Sequence, residues 1–127
     1  MILFFDRSLG KGLGRTLRRV RGFPATVELH DNHFAQNTPD DEWLAEVGQR
    51  GWLAIGQDYR HHLMDVELEA IRTHRVGVFY LWGADASQWE QLRVLAKAWD
   101  RIEAVGNAEP PFIYRIARSG RLVSIPI

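Results

Sequence analysis

The sequence predicts an α/β protein. Three layers, α/β/α, surround a central, mainly parallel sheet of about five strands, with a C-terminal hairpin. Three observations lead there. Short apolar runs at residues 1–5, 25–30, 52–56, 76–82 and 112–117 alternate with stretches whose apolar residues recur at helical spacing. Strands that alternate with helices in this way form parallel sheets covered on both faces. The 127 residues are 46% apolar and 25% charged, ordinary globular usage, which supports one domain over residues 1–127 with one real core.

Each element has its own signal. Residues 1–5, Met-Ile-Leu-Phe-Phe, stop at Asp6 and read as a buried strand. Leu9, Leu13, Leu17 and Val20 follow at helical spacing, with Arg15, Arg18, Arg19 and Arg21 on the other faces. Gly10, Gly12 and Gly14 each weaken that helix by about 1 kcal/mol relative to alanine. Gly22, Phe23 and Pro24 end it. Thr26, Val27 and Leu29 mark a second strand, and residues 31–38 read as a polar loop. Thr38-Pro39-Asp40-Asp41-Glu42 opens a helix, with Thr38 or Asp40 as cap and the acids at the positive end of the dipole. Trp43, Leu44 and Val47 supply its buried stripe, and Gly51 stops it. A third strand runs almost directly into Asp58. Further on come a helix from about Leu63 to His74, a strand at 76–82, and a long helix capped by Ser87 and reaching about Val105. Glu109-Pro110-Pro111 links to the last strand, and Ser119-Gly120 turns the chain into a hairpin over 122–125. The five tryptophans fall mostly at core phases.

Composition excludes several classes. Without cysteine there are no disulfides, thiolate zinc sites or cysteine nucleophiles. No apolar run approaches the roughly 20 residues of a membrane span, and the apolar start lacks the basic front of a leader, so a cytoplasmic soluble protein is the expectation. Sixteen basic groups balance sixteen acids, which excludes a uniformly basic nucleic-acid coat. The charge is nevertheless sorted. Residues 1–25 hold six basic groups against Asp6, residues 26–70 hold ten acids against Arg50 and Arg60, and residues 71–127 hold eight basic groups against five acids.

In open parallel sheets, ligands bind beyond the carboxyl ends of the strands. Asp6 and Asp58 stand at two such ends, and Asp40-Asp41-Glu42 opens the helix that feeds the third strand, on the same edge. Taken singly, each acid reads equally well as a helix cap. Taken together they suit a hard divalent cation held by oxygen ligands, which can drive phosphodiester cleavage. Glu67 on the third helix can reach the same edge. Other candidates carry less. Gly10-Lys11-Gly12-Leu13-Gly14 lacks the spacing of a phosphate loop. His30-Asp31-Asn32-His33 has no further ligand at zinc-like spacing. His61 and His62 follow Asp58 and read as surface residues before substrate contacts, and Ser119 has no partnering His and Asp.

Phe4-Phe5-Asp6-Arg7-Ser8-Leu9-Gly10, then Thr38 to Leu44 with Glu46-Val47-Gly48, then Arg50-Gly51-Trp52 followed by Asp58, resemble the PIN-like domains of the VapC-type toxin group. The tail from Pro111 to Gly120 is similar too. The resemblance implies a PIN-like fold and an Mg²⁺- or Mn²⁺-dependent ribonuclease, the toxin of a toxin–antitoxin pair. It implies that Asp6 and Asp58 hold the metal, that Asp40 or Asp41 completes the catalytic site, and that Arg7, Arg60, Arg15 and Arg18 contact RNA phosphates. Relatives often carry another acid on an early helix. The first helix here has none, and Glu67 is the candidate replacement. Gln57 stands where Ser, Thr or Lys is usual. RNA, a cognate antitoxin and a second copy of the chain are the implied partners, with no membrane. The missing early acid also motivates an alternative, a catalytically depleted PIN-like module that binds RNA or protein. A phosphoacceptor signalling domain has acids after strands one and three as well. It needs an acid pair after the first and a lysine after a late strand, whereas Arg7 follows Asp6 and Lys97 lies within a helix.

Overall fold

Alternation along the strands decides the layering. In a computed structural model describing residues 1–58 and 64–127, Leu3 and Phe5 turn to one face of the sheet and Phe4 to the other. The same alternation separates Leu53 and Ile55 from Ala54, and Phe79 and Leu81 from Val78. Because both faces are covered, these strands are apolar on both sides.

The strands are β1 (Ile2–Phe5), β2 (Thr26–Leu29), β3 (Leu53–Gln57), β4 (Gly77–Leu81), β5 (Phe112–Ile116) and β6 (Leu122–Ile125). The helices are α1 (Gly12–Arg19), α2 (Asp40–Arg50), α3 (Asp65–His74) and α4 (Gln88–Gly106). The sheet order is β2-β1-β3-β4-β5-β6, with the first five strands parallel and β6 antiparallel to β5. The C-terminal hairpin thus adds a sixth strand to the five of the parallel set. One face buries Leu13 and Leu17 of α1 with Leu95, Ala98 and Ile102 of α4. The other buries Trp43, Leu44 and Val47 of α2 with Ala70 and Ile71 of α3. This is the three-layer arrangement expected.

Several local readings change. The first helical stripe is two pieces: Leu9 belongs to a short 3-10 turn, Arg7–Leu9, and Gly10 at φ 70° separates it from α1. The polar loop after β2 begins with a second 3-10 turn, His30–Asn32. Neither Thr38 nor Asp40 caps α2. Pro39 occupies the cap position with no side-chain bond, and Asp40 is the first helical residue. Asp58 does not cap α3, whose cap position is Met64. Trp43 is buried, but Trp89 is 65% exposed and is no core residue. Ser87 caps α4 as read, its hydroxyl accepting the Glu90 N–H at 3.1 Å.

The chain runs from β1 to β2 on one side and from β3 through β4 to β5 on the other. The order therefore reverses between β1 and β3, the place where such sheets open a ligand crevice. Asp6 follows β1 and Asp58 follows β3 on that edge. The first turns of α2 and α3 begin there too, because a helix that returns to a parallel strand starts at the carboxyl edge.

Candidate active site

Asp6 is held from both chain directions. Its N–H donates to Ile55 O at 2.9 Å, so β3 fixes the backbone at this point. Its carboxylate accepts the Arg7 N–H at 2.7 Å and the Ser8 hydroxyl at 2.8 Å. The acid therefore does cap something, the 3-10 turn that follows it. Ser8 Oγ in turn accepts the Gln57 N–H at 3.0 Å and locks this turn onto the end of β3. Glycine at position 56 leaves room for that contact, since a Cβ there would lie 3.2 Å from Ser8 Oγ and 3.6 Å from Asp6 Oδ2. Burial pushes the Asp6 carboxyl above its ordinary value. The Ser8 bond opposes this, repulsion from Asp40 adds to it, and Arg7 counters.

Glu67, in the first turn of α3, faces the same field. The Tyr80 hydroxyl of β4 donates to its Oε1 at 2.8 Å. Burial raises the Glu67 carboxyl. The Tyr80 bond lowers it, and repulsion from Asp40 and then Asp6 raises it further. Burial and the nearby Glu67 charge also push the Tyr80 phenol up, so it stays a donor. Three acids from three elements thus act on one another: Asp6, Asp40 and Glu67.

Arg7 restrains the third of them. Its guanidinium donates to Asp40 Oδ1 at 2.9 Å, to Thr38 O at 2.8 Å and to His30 Nε2 at 2.9 Å. Trp43 Nε1 also donates to Asp40 Oδ1 at 2.9 Å. Arg7 is therefore a clasp between β1, the loop before α2 and the turn after β2.

Asp58 behaves differently. Its N–H extends the β3–β4 ladder to Leu81 O, and its carboxylate faces Arg115 of β5 at 3.4 Å. Gln57, beside it, is buried on the opposite face. Its amide donates to Leu81 O at 2.7 Å and its oxygen accepts from Gln91 of α4 at 2.8 Å. Asp41 is exposed and makes no side-chain hydrogen bond or ion pair among the described residues. Arg18 is tied to β2, through Val27 O at 3.1 Å and Glu28 at 3.8 Å. His33 pairs with Glu28 rather than joining His30 around a metal. Arg60, His61 and His62 lie outside the described residues.

The sequence reading found Asp6, Asp40 and Glu67 but not the groups that hold them. Ser8, Tyr80 and the clasp role of Arg7 depend on partners far along the chain, with no local pattern to show them. Hard oxygen donors pressed together by burial and repulsion fit a divalent cation in kind. Among the described residues, however, no three acids or histidines gather closely enough to hold one. Mg²⁺ asks for less, since it binds through one or two carboxylates and keeps waters and phosphates as its other ligands.

No helix among the described residues is long and apolar enough to cross a membrane. The search of curated proteins and the search of solved structures gave no match. The sequence model of the family described as the PIN-like domain matches residues 1–83, from β1 to just past β4, and so takes in Asp6, Asp40, Asp41, Asp58, Glu67 and Tyr80. The chain belongs to the PIN-like domain family.

Proposed function

We propose that this chain is a divalent-cation-dependent ribonuclease, and that it serves as the toxin of a toxin–antitoxin pair with RNA as its substrate. PIN-like domains are commonly nucleases. The observation that carries the reading is the mutual repulsion of Asp6, Glu67 and Asp40 at the reversal point of the sheet. Buried acids that raise one another have no evident structural benefit, and a cation of +2 charge would stabilise them.

Asp6 and Glu67 would hold Mg²⁺ or Mn²⁺, with Asp40 or Asp58 completing the site through water. Bound there, the cation supplies positive charge to the scissile phosphate and makes water a competent nucleophile at neutral pH. The protein's own groups do the remainder. Ser8 and the Arg7 N–H orient Asp6, Tyr80 orients Glu67, and Arg7 keeps Asp40 from crowding the pair. Arg15 on α1 is the nearby cation left for a backbone phosphate. The antitoxin and a homodimer remain parts of this proposal.

A second reading has a specific observation behind it. Arg115 neutralises Asp58, and no three-ligand group stands ready, as in a depleted module that binds RNA without cutting it. One experiment separates the two. RNA cleavage is measured with Mg²⁺, Mn²⁺ or EDTA for wild type, Asp6→Asn and Glu67→Gln, beside the melting temperature with and without metal. The nuclease reading expects cleavage that EDTA stops, at least about a hundredfold loss in Asp6→Asn, and a metal-induced rise in melting temperature that both variants lose. RNA binding with no cleavage and no thermal response to metal would establish the depleted module instead.

A further inference from the structure

We propose that the cavity beside Asp6 is a nucleotide subsite, which takes one unpaired nucleotide of the RNA next to the scissile phosphate. The inference rests on the nuclease reading. The cavity measures about 290 Å³ and lies between the start of α1 and the turn His30–Asn32, with Asp6 and Arg7 on its wall.

The sharpest feature is His30. It is only 2% exposed. Arg7 donates to its Nε2, so that nitrogen is the acceptor and the ring proton is assigned to Nδ1. Nδ1 has no hydrogen-bond partner. Its nearest acceptor, Asp31 Oδ1, stands at 3.6 Å, beyond hydrogen-bond reach. An unmet buried donor costs about 1–3 kcal/mol, which an acceptor on a bound ligand would recover.

The rest of the lining fits the same ligand. Arg15 is exposed, and its side chain has no hydrogen bond or ion pair among the described residues. Lys11 pairs only with Asp31. Both suit a phosphodiester. Asn32 and Gln36 bring carboxamides, each both donor and acceptor. Phe5 and Leu29 add apolar wall. A simple anion would use the two cations, leave the carboxamides idle and meet Asp6 and Asp31 with like charge. An unstacked nucleotide uses all of them, because proteins read single-stranded bases by hydrogen bonds to their edges.

The test titrates the full chain with AMP, GMP, CMP, UMP and inorganic phosphate, followed by amide NMR shifts. The products of a random RNA pool are sequenced in parallel. At least one mononucleotide should bind about tenfold tighter than phosphate, the equivalent of one good hydrogen bond. Its shifts should centre on residues 10–15 and 30–36. Arg15→Ala should weaken all four nucleotides, and Asn32→Ala should change their ranking; both positions are exposed, so both variants should fold. If no nucleotide outbinds phosphate, or if both variants leave every affinity within about twofold, the subsite is refuted. RNA cut without base preference alongside such a result removes the subsite and leaves the nuclease. Nucleotide binding of the expected pattern in a chain that cuts no RNA removes the nuclease and leaves the subsite.

Discussion

At Arg7 and Glu67 single side chains decide how the acids are held. The Arg7 guanidinium serves a carboxylate, a carbonyl and an imidazole at once, and its side chain is only 27% exposed. Arg7→Ala strands Thr38 O and the His30 Nε2 and frees Asp40. Charge-assisted bonds are worth about 1.5–3 kcal/mol each, so a loss of about 2–3 kcal/mol is expected in urea unfolding, against little change for Arg19→Ala, which has no such partners. Glu67 has the opposite sign. Its folded carboxyl lies above its ordinary value of 4.5, so the folded chain binds this proton more tightly than the unfolded chain. Stability from this group is present at low pH and is lost as pH rises from about 4.5 through the raised folded value. Glu67→Gln removes that penalty and keeps an oxygen for the Tyr80 hydroxyl. In EDTA at pH 7 the variant should melt a few degrees above wild type, and the two should converge near pH 4. Mg²⁺ should reverse the order at pH 7, because only wild type gains binding energy. A variant that melts below wild type in EDTA at pH 7 would mean that Glu67 is a stabilising acid and not a strained one.

Elements were largely legible because each follows a period. The apolar strands, the Trp43-Leu44-Val47 stripe and the Ser87 cap depend on neighbours within a few positions, and the structure has all of them. Close approaches between elements were not legible, since they depend on what faces a residue from elsewhere. Gly14 reads from sequence as a weak point in a helix. In the fold it lets α1 lie against Leu29 and Phe5, with no room for a Cβ. Gly48 does the same for α2 and α3, where a Cβ would collide with the His74 carbonyl at the end of α3. The site suffered similarly. Asp6 is legible as an acid that stops an apolar run, but the turn from Arg7 to Leu9 is three residues long and follows no period. Overpacking costs about 1–3 kcal/mol, and here the obstacle is backbone, which yields little. Gly48→Ala should therefore destabilise the fold by about 2 kcal/mol despite its better helix propensity. Because α3 carries Glu67, it should also weaken metal binding. A rise in melting temperature would show instead that α2 and α3 separate easily.

Across the whole molecule the sorted charge acquires a purpose. The acidic middle segment is joined to the basic flanks by ion pairs: Arg7 with Asp40, Lys11 with Asp31, Arg18 with Glu28, and Arg115 with Asp58. Exposed pairs of this kind add little stability. They do use up cations that the sequence alone assigned to RNA, Arg7 and Arg18 among them. Arg15, Arg19 and Arg21 remain exposed without side-chain partners among the described residues, along and just after α1. Phosphate contact by about three cations predicts a modest slope, near −2, for log affinity of single-stranded RNA against log salt. Replacing all three by alanine should flatten it. The unneutralised acids Asp6 and Glu67 act in the other direction, repelling the strand until a cation is bound. At constant ionic strength, Mg²⁺ should therefore tighten RNA binding by about tenfold or more over EDTA, a gain of about 1.4 kcal/mol. That gain should vanish in an Asp6→Asn, Glu67→Gln double variant, whose affinity in EDTA should already match the metal-bound value of wild type. Equal affinity of wild type in EDTA and Mg²⁺ would place the RNA path away from these acids, on the basic face of α1 alone.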